Sequence, residues 1–177
     1  AAVILLTHGE YTARYLGPCY ESLIRQTYPV ERTDLFIVDN GSTDASRRLI
    51  AGLAPGATVV AQRRNGGWGP GNNAGIRLAL QQGYAYVVLV NVDMVLDPAW
   101  LARLVEAAQA QPQVHILQST ILLDNTGRIQ SVGNRIHFLG YGYCNGYGLD
   151  AAHLSEVPPM DSASGAAVLI KRQVFET

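Results

Sequence analysis

YAYVVLVNVDMVLDP, running from Tyr84 to Pro98, is the segment from which the architecture follows. Val87, Val88, Leu89 and Val90 form an unbroken apolar, mostly β-branched run, the pattern of a central strand covered on both faces. Polarity returns abruptly at Asn91 and Asp93. In open α/β sheets ligands collect beyond the carboxyl ends of the strands, so a carboxylate just past such an end is placed to hold a cation against an anionic ligand. An isolated Asp in that position would ordinarily cap a turn or helix. The neighbouring segments shift the reading toward a site.

Working outward, the chain alternates strands and helices. Ala2 to Leu6 reads as the first strand, closed by Thr7, His8 and Gly9. A helix follows with Leu16, Tyr20, Leu23 and Ile24 on one face, and Pro18 predicts that it either starts there or is kinked there. Leu35 to Val38 is the second strand and delivers Asp39-Asn40-Gly41-Ser42 to the same edge as Thr7. Ser42 or Thr43 caps the next helix, which ends at Ala54-Pro55-Gly56. Thr58 to Ala61 is a third strand. Arg63 to Gly75 then reads as a glycine-rich loop leading into a helix with Ile76, Ala79 and Leu80 inward.

Beyond the central strand, Asp97-Pro98 starts a helix that buries Trp100, Leu101, Leu104, Val105 and Ala108. Val114 to Leu123 is expected as one strand, with Arg128 to Val132 pairing back on it as a hairpin. GYGYCNGYGLD, from Gly140, reads as a loop that reaches the proline pair Pro158-Pro159. Ser164 to Ile170 is the last strand, with a helix expected to start at Phe175. The alternation predicts an α/β fold with a mixed, mostly parallel sheet flanked by helices. Right-handed crossovers then place Thr7, Asp39 and Asp93 along one rim.

Length and composition narrow the function. The 177 residues suit a single domain, and both ends read as cut from a longer polypeptide. A formal net charge of -1 argues against nucleic acid and against broad attraction to an anionic membrane. Cys19 and Cys144 lack metal-ligand spacing and read as reduced thiols, which points to the cytoplasm. No apolar run approaches the roughly 20 residues that span a bilayer, and no stretch of these residues reads as a secretory leader. His115, His137 and His153 show no ligand spacing. His8, beside the rim, is the histidine with a possible role.

The rim suits a nucleoside diphosphate. Asp39, Asn40 and Ser42 offer acceptors to a base and ribose, and a divalent ion on Asp93 can meet the pyrophosphate. The glycine loop, with Gly71 and Asn72, can bring backbone amides to the same ligand. A Rossmann site needs its glycine fingerprint straight after the first strand, where this chain has THGEYTARYLG. No G-x-x-x-x-G-K-[ST] occurs, so a P-loop is excluded.

Five segments in order carry a resemblance: ESLIRQTYP from Glu21, FIVDNGSTDAS from Phe36, NGGWGPGNNAGI from Asn65, VLVNVDM from Val88 and SGAAVLIKRQVFE from Ser164. Together they resemble the inverting family 2 glycosyltransferases of the GT-A fold, and within them the bacterial rhamnosyltransferase-like members. The resemblance implies transfer of a sugar, of hexosyl type, from a nucleotide-diphosphate donor to an acceptor hydroxyl with inversion, as in polysaccharide biosynthesis. It implies Mg²⁺ or Mn²⁺ as cofactor, a glycan or lipid-linked acceptor, and work at the inner face of the membrane by the full-length protein. Thr7 and Asp39 would meet the nucleoside, and Asp93 would hold metal and diphosphate, with Asn91 nearby. Ser164, Gly165 and Ala166 would line the donor-sugar and acceptor side.

Three departures from the family pattern stand out. Asn91 replaces the first acid of Asp-x-Asp. His8-Gly9-Glu10 stands where an aromatic usually follows the first strand. The family's Glu-Asp motif, whose Asp is the implied general base, does not occur in the chain and is expected beyond Thr177. A module that binds a nucleotide sugar or glycan without catalysis is therefore the alternative reading.

Overall fold

A computed structural model of the chain describes residues 1–154 and 159–176. Pro158, of the expected proline pair, and Thr177 lie outside these. The elements in order are β1 (Ala2–Thr7), α1 (Gly9–Ile24), β2 (Asp34–Asn40), α2 (Asp44–Leu53), β3 (Thr58–Gln62), α3 (Trp68–Gln81), β4 (Tyr86–Asn91) and α4 (Trp100–Ala110). They are followed by β5 (Ile116–Gln118), β6 (Ile121–Leu122), β7 (Ile129–Ser131), β8 (Asn134–Ile136), β9 (Gly142–Cys144) and β10 (Ala167–Lys171).

The main sheet has six strands in the order β3-β2-β1-β4-β10-β5. The first four run parallel, and β10 lies antiparallel to both β4 and β5. This is the mixed, mostly parallel sheet that the sequence predicts. The period-2 rule shows in its burial. Val3 and Leu5 of β1, Ile37 of β2, Val88 and Val90 of β4, and Leu169 of β10 enter one core with Leu16 of α1, Ile50 of α2 and Leu101 and Leu104 of α4. Their alternates Ile4, Leu6, Phe36, Val38, Val87, Leu89 and Val168 enter a second core with Ile76 and Ala79 of α3. Helices thus cover both faces.

Several local expectations are corrected. Of the two readings of Pro18, a start is excluded: the first helix begins at Gly9, nine residues before Pro18, which sits inside it. Gly17 makes this possible: with no Cβ it avoids the clash that a residue preceding proline meets in helical conformation. Ile24, expected inward, is exposed. The third helix begins at Trp68, so Gly69 to Gly75 belong to the helix and the loop shrinks to the residues before it.

The long strand expected over Val114 to Leu123 is two, β5 in the main sheet and β6 in a separate pair with β7. The break is Ser119-Thr120, where Ser119 Oγ accepts from the Trp100 indole at 2.6 Å. Part of the expected tyrosine-rich loop is also strand, β9 pairing antiparallel with β8. The last strand starts at Ala167, leaving Ser164 to Ala166 as the turn that precedes it. A 3-10 turn over Arg172–Phe175 stands where a helix was expected to begin. Cys19 and Cys144 are free thiols. No described helix is long and apolar enough to cross a membrane.

Candidate functional site

The strand order reverses direction between β1 and β4, so the carboxyl ends of these two strands open the crevice where α/β sheets bind ligands. Thr7 pairs with Asp39 across β1 and β2, and Leu6 pairs with Asn91 across β1 and β4. Ala166 closes the row by accepting a hydrogen bond from the Asn91 backbone at 3.0 Å. Thr7, Asp39, Asn40, Asn91, Asp93 and Ser164 to Ala166 therefore lie on one rim.

The residues expected to meet a nucleoside form the buried frame of that rim. Thr7 Oγ1 shares a hydrogen bond with Thr12 Oγ1 at 2.8 Å. Asp39, with 0 % of its surface exposed, accepts from the Ser42 backbone at 2.8 Å and from Arg47 Nε at 3.0 Å. Ser42 Oγ accepts from the Gly9 backbone at 3.0 Å, tying the exit of β2 to the start of α1. Asn40 Nδ2 donates to Asn65 Oδ1 and to the Gly67 carbonyl, and its Oδ1 accepts from the Gly66 backbone. These bonds fix the turn entering α3.

Gly71 is a packing glycine, because a Cβ there would fall 2.6 Å from Leu6 Cδ1. Asn72 donates from Nδ2 to the Trp68 carbonyl, and its buried Oδ1 has no partner among the described residues. Gly41, at a positive φ of 76°, allows the β2 exit to meet the backbone of Arg64 and Asn65, which a Cβ would strike at 2.4 Å. In this arrangement Thr7, Asp39, Asn40, Ser42, Gly71 and Asn72 hold the rim from beneath.

The exposed surface of the rim is made by other residues. The Asp93 carboxylate is exposed and has no hydrogen-bond or ion-pair partner among the described residues. Asn91 Oδ1 accepts from Trp68 Nε1 at 2.9 Å. The Trp68 indole also lies on Gly165, where a Cβ would fall 2.2 Å from its Cζ2. His8 and Tyr11 stand at the start of α1 with ring centroids 5.3 Å apart, and Tyr11 meets Tyr15 at 5.5 Å. Arg63 and Arg64 follow β3, exposed and without ion pairs among the described residues.

The sequence reading did not single out Trp68, Tyr11, Arg47, Arg63 or Arg64. Trp68 carried a signal, an aromatic residue in a glycine-rich stretch that borders the rim. Arg47 lies one turn into α2 and only the three-dimensional arrangement brings it to Asp39.

A divalent ion fits this donor set in one way. Among the described residues no three His, Cys, Asp or Glu side chains converge. Asn91 spends its acceptor on Trp68, and Cys19, near Asp93, is held as a neutral thiol: burial, with the Asp93 charge adding to it, pushes its pKa up to about 12. A lone exposed carboxylate suits an ion that arrives with diphosphate oxygens of its own, the usual mode for Mg²⁺. It does not suit a metal site standing by itself.

The other histidines stay away from this chemistry. His115, His137 and His153 are exposed, and His137 Nδ1 accepts from the Leu139 backbone within a hairpin tip. Two clefts, of about 440 and 280 Å³, lie at the opposite edge of the sheet. The first is bordered by Lys171, whose Nζ is tied to the Gln111 and Pro112 carbonyls, and the second by Asp34, which accepts from the Tyr84 hydroxyl.

Comparison with known proteins agrees with this architecture. Residues 2–175 match the family model described as glycosyl transferase family 2. An uncharacterized glycosyltransferase of Nostoc sp. (strain PCC 7120) is 30% identical over 128 residues, covering 71% of this chain and 38% of that protein. Glycosyltransferase GlyG of Streptococcus pneumoniae serotype 4 is 28% identical over 101 residues, covering 55% of this chain and 32% of its own. The chain thus spans less than half the length of these relatives.

Among solved structures, the Pyrobaculum calidifontis mannosyltransferase PcManGT, in complex with GDP-Man and Mn²⁺, superposes with a TM-score of 0.64 at 19% identity, over 99% of this chain and 45% of that one. Residues 1–349 of S. aureus TarS, in complex with UDP, give a TM-score of 0.65 at 17% identity, over 99% of this chain and 47% of that one. These likenesses show the GT-A fold. With the family model matched from the first strand through the last, the chain belongs to glycosyl transferase family 2.

Proposed function

We infer that the protein transfers a sugar from a nucleotide-diphosphate donor to an acceptor hydroxyl, with its donor seated on the rim at the ends of β1 and β4. One observation carries this reading: Asp93, exposed and without a partner among the described residues, stands on the same rim as the Thr7–Asp39 pair, at the point where the strand order reverses. The neighbours in complex with GDP-Man and Mn²⁺ and with UDP support the donor class.

Each group has a task in this scheme. His8 and Tyr11 offer an aromatic platform for the base. Asp39 and Ser42 accept from the nucleoside once Arg47, half exposed, swings off the Asp39 carboxylate. Arg63 and Arg64 set positive charge beside the diphosphate. Asp93 is the residue that would hold Mg²⁺ or Mn²⁺, and such an ion when bound supplies charge to the departing diphosphate. Ser164 to Ala166 border the sugar and acceptor side. The acceptor hydroxyl loses its proton to a base, for which the Asp of a Glu-Asp pair, absent from residues 1–177, is the proposed group. Attack from the face opposite the diphosphate inverts the anomeric carbon.

The finer reading follows the sequence resemblance: a rhamnosyltransferase-like hexosyl transfer to a glycan or lipid-linked acceptor, serving polysaccharide biosynthesis at the cytoplasmic side of a membrane. Calorimetry of the intact protein with UDP-, GDP- and dTDP-sugars, with and without Mn²⁺, tests the donor half. Metal-dependent binding of at least one donor is expected, and release of its nucleoside diphosphate in the presence of acceptor marks the enzyme. Binding without turnover favours the alternative of a non-catalytic nucleotide-sugar module. Absence of binding by every donor removes the proposal.

A further inference from the structure

Trp68 is a half-exposed aromatic at the crevice mouth, and it is held there from three sides. Its backbone opens α3 directly after Gly67, whose carbonyl and amide are pinned by Asn40 and Asn65. Its Nε1 donates to Asn91 Oδ1 at 2.9 Å. Its benzo edge lies on Gly165, where any side chain would collide. An indole bridging β4 and the turn before β10 still leaves 47% of the residue exposed. A large apolar ring costs free energy when left in water, and a ring tethered by its only polar atom presents its remaining surface as an apolar wall.

The position of that wall is informative. Asn91 lies two residues before Asp93, and Gly165 sits in the turn next to it, so the ring crosses the space between the proposed diphosphate end and Ser164 to Ala166. Resting on the donor reading given above, we propose that Trp68 is the platform for the pyranose ring of the donor, and that Asn91 is its positioning residue and not a metal ligand. A pyranose offers C–H bonds on its ring faces and hydroxyls on its rim, which suits an aromatic wall on one side and polar groups around it. Asn91 serves this role because its carbonyl oxygen is an acceptor that matches the donor-only indole N–H. Its amide carries no charge to compete with Asp93 for a cation.

Tryptophan emission reads this once the second tryptophan, Trp100, which is buried and tied to Ser119, is accounted for by the Trp68→Phe spectrum. The free protein, its Asn91→Ala and Asn91→Asp forms, and Trp68→Phe and Trp68→Ala are compared, with folding checked by circular dichroism. Asn91→Ala is expected to shift the Trp68 emission without any ligand, and Asn91→Asp, which keeps an acceptor, to preserve it. Each form is then titrated, with Mn²⁺, with UDP, GDP, dTDP and the corresponding nucleotide sugars.

Affinity for the preferred diphosphate is expected to stay within about threefold in Trp68→Phe, Trp68→Ala and Asn91→Ala. The preference for nucleotide sugar over that diphosphate is expected to fall at least about tenfold in Trp68→Ala and Asn91→Ala, less in Trp68→Phe, and to be retained in Asn91→Asp. An unchanged preference in Trp68→Ala overturns the platform, and so does loss of diphosphate and sugar binding together in Asn91→Ala. If the wild-type protein binds neither diphosphate nor sugar, the donor reading itself fails, which is a different result.

Discussion

Arg47 Nε donates to Asp39 Oδ2 at 3.0 Å, and the accepting carboxylate is completely buried while the arginine side chain is 46% exposed. The pair joins the end of β2 to the first turns of α2. Removing the arginine leaves Asp39 with the Ser42 amide alone. Hydrogen bonds to charged groups contribute about 1.5–3 kcal/mol, and the solvent around Arg47 places this one at the lower end. Arg47→Ala is expected to lower stability by about 1.5 kcal/mol in urea unfolding, whereas Asp44→Ala, which removes only the exposed partner, should cost about 0.5 kcal/mol. Equal costs would contradict the role of Arg47 as the partner of a buried charge.

Gly75 and Gly52 offer opposite outcomes for one substitution. A Cβ on Gly75, in α3, would lie 2.7 Å from Ile4 Cγ2 and 3.1 Å from Val38 Cγ2, in the packed second core. Around Gly52, in α2, nothing lies within 4 Å of that point. Alanine gains about 1 kcal/mol in helix propensity at either position, while overpacking a core costs about 1–3 kcal/mol. Gly52→Ala is therefore expected to raise the urea midpoint and Gly75→Ala to lower it. A stabilising Gly75→Ala would mean that α3 rides farther from β1 and β2 than described.

The Cys19 thiol is buried beneath the rim, and burial pushes its pKa to about 12 from an ordinary 9.0. Because the folded value is raised, the associated stability is complete below the ordinary thiol value and drains away as pH climbs from about 9 toward 12, where the unfolded thiol ionises first. Cys19→Ala is expected to flatten that alkaline loss. At pH 8 a thiol reagent should modify the partly exposed Cys144 in the native protein and reach Cys19 only after unfolding. Equal native rates for the two thiols would contradict the burial.

The central strands were readable because their periodicity is unambiguous. Val87 to Val90 is apolar on both faces, and the strand indeed feeds both cores. Shared strand direction then brought Thr7, Asp39 and Asp93 to one rim without any knowledge of contacts. Local boundaries misled where two rules competed. Pro18 allowed a helix start or a kink, and the helix instead of starting there runs on from Gly9 with Pro18 inside it. Gly69, Pro70 and Gly71 argued for loop, yet Pro is tolerated in a first helical turn and Gly71 is needed for close approach to Leu6.

Within the site, polarity alone does not tell a ligand-facing side chain from one holding the backbone. Asn40 is polar, at a strand end and beside the crevice, and all of its described side-chain hydrogen bonds go to the turn before Trp68. The hydrogen bond from the Trp68 indole to the Asn91 oxygen had no signal in the sequence either. Both cases depend on residues more than twenty positions apart, which periodicity does not couple.

Asp93 and Asp97 lie four residues apart, and substituting each in turn separates metal-assisted ligand binding from the capping of a turn. Asp97 Oδ1 accepts from the Ala99 backbone at 2.8 Å, in the turn that leads into α4. Asp97→Ala should cost about 1 kcal/mol of stability and leave ligand affinity unchanged. Calorimetry of the wild-type, Asp93→Ala and Asp97→Ala proteins with nucleoside diphosphates, with and without Mn²⁺, measures the difference. The account predicts that Mn²⁺-dependent binding persists in Asp97→Ala and disappears in Asp93→Ala. Mn²⁺-dependent binding that survives undiminished in Asp93→Ala would contradict it.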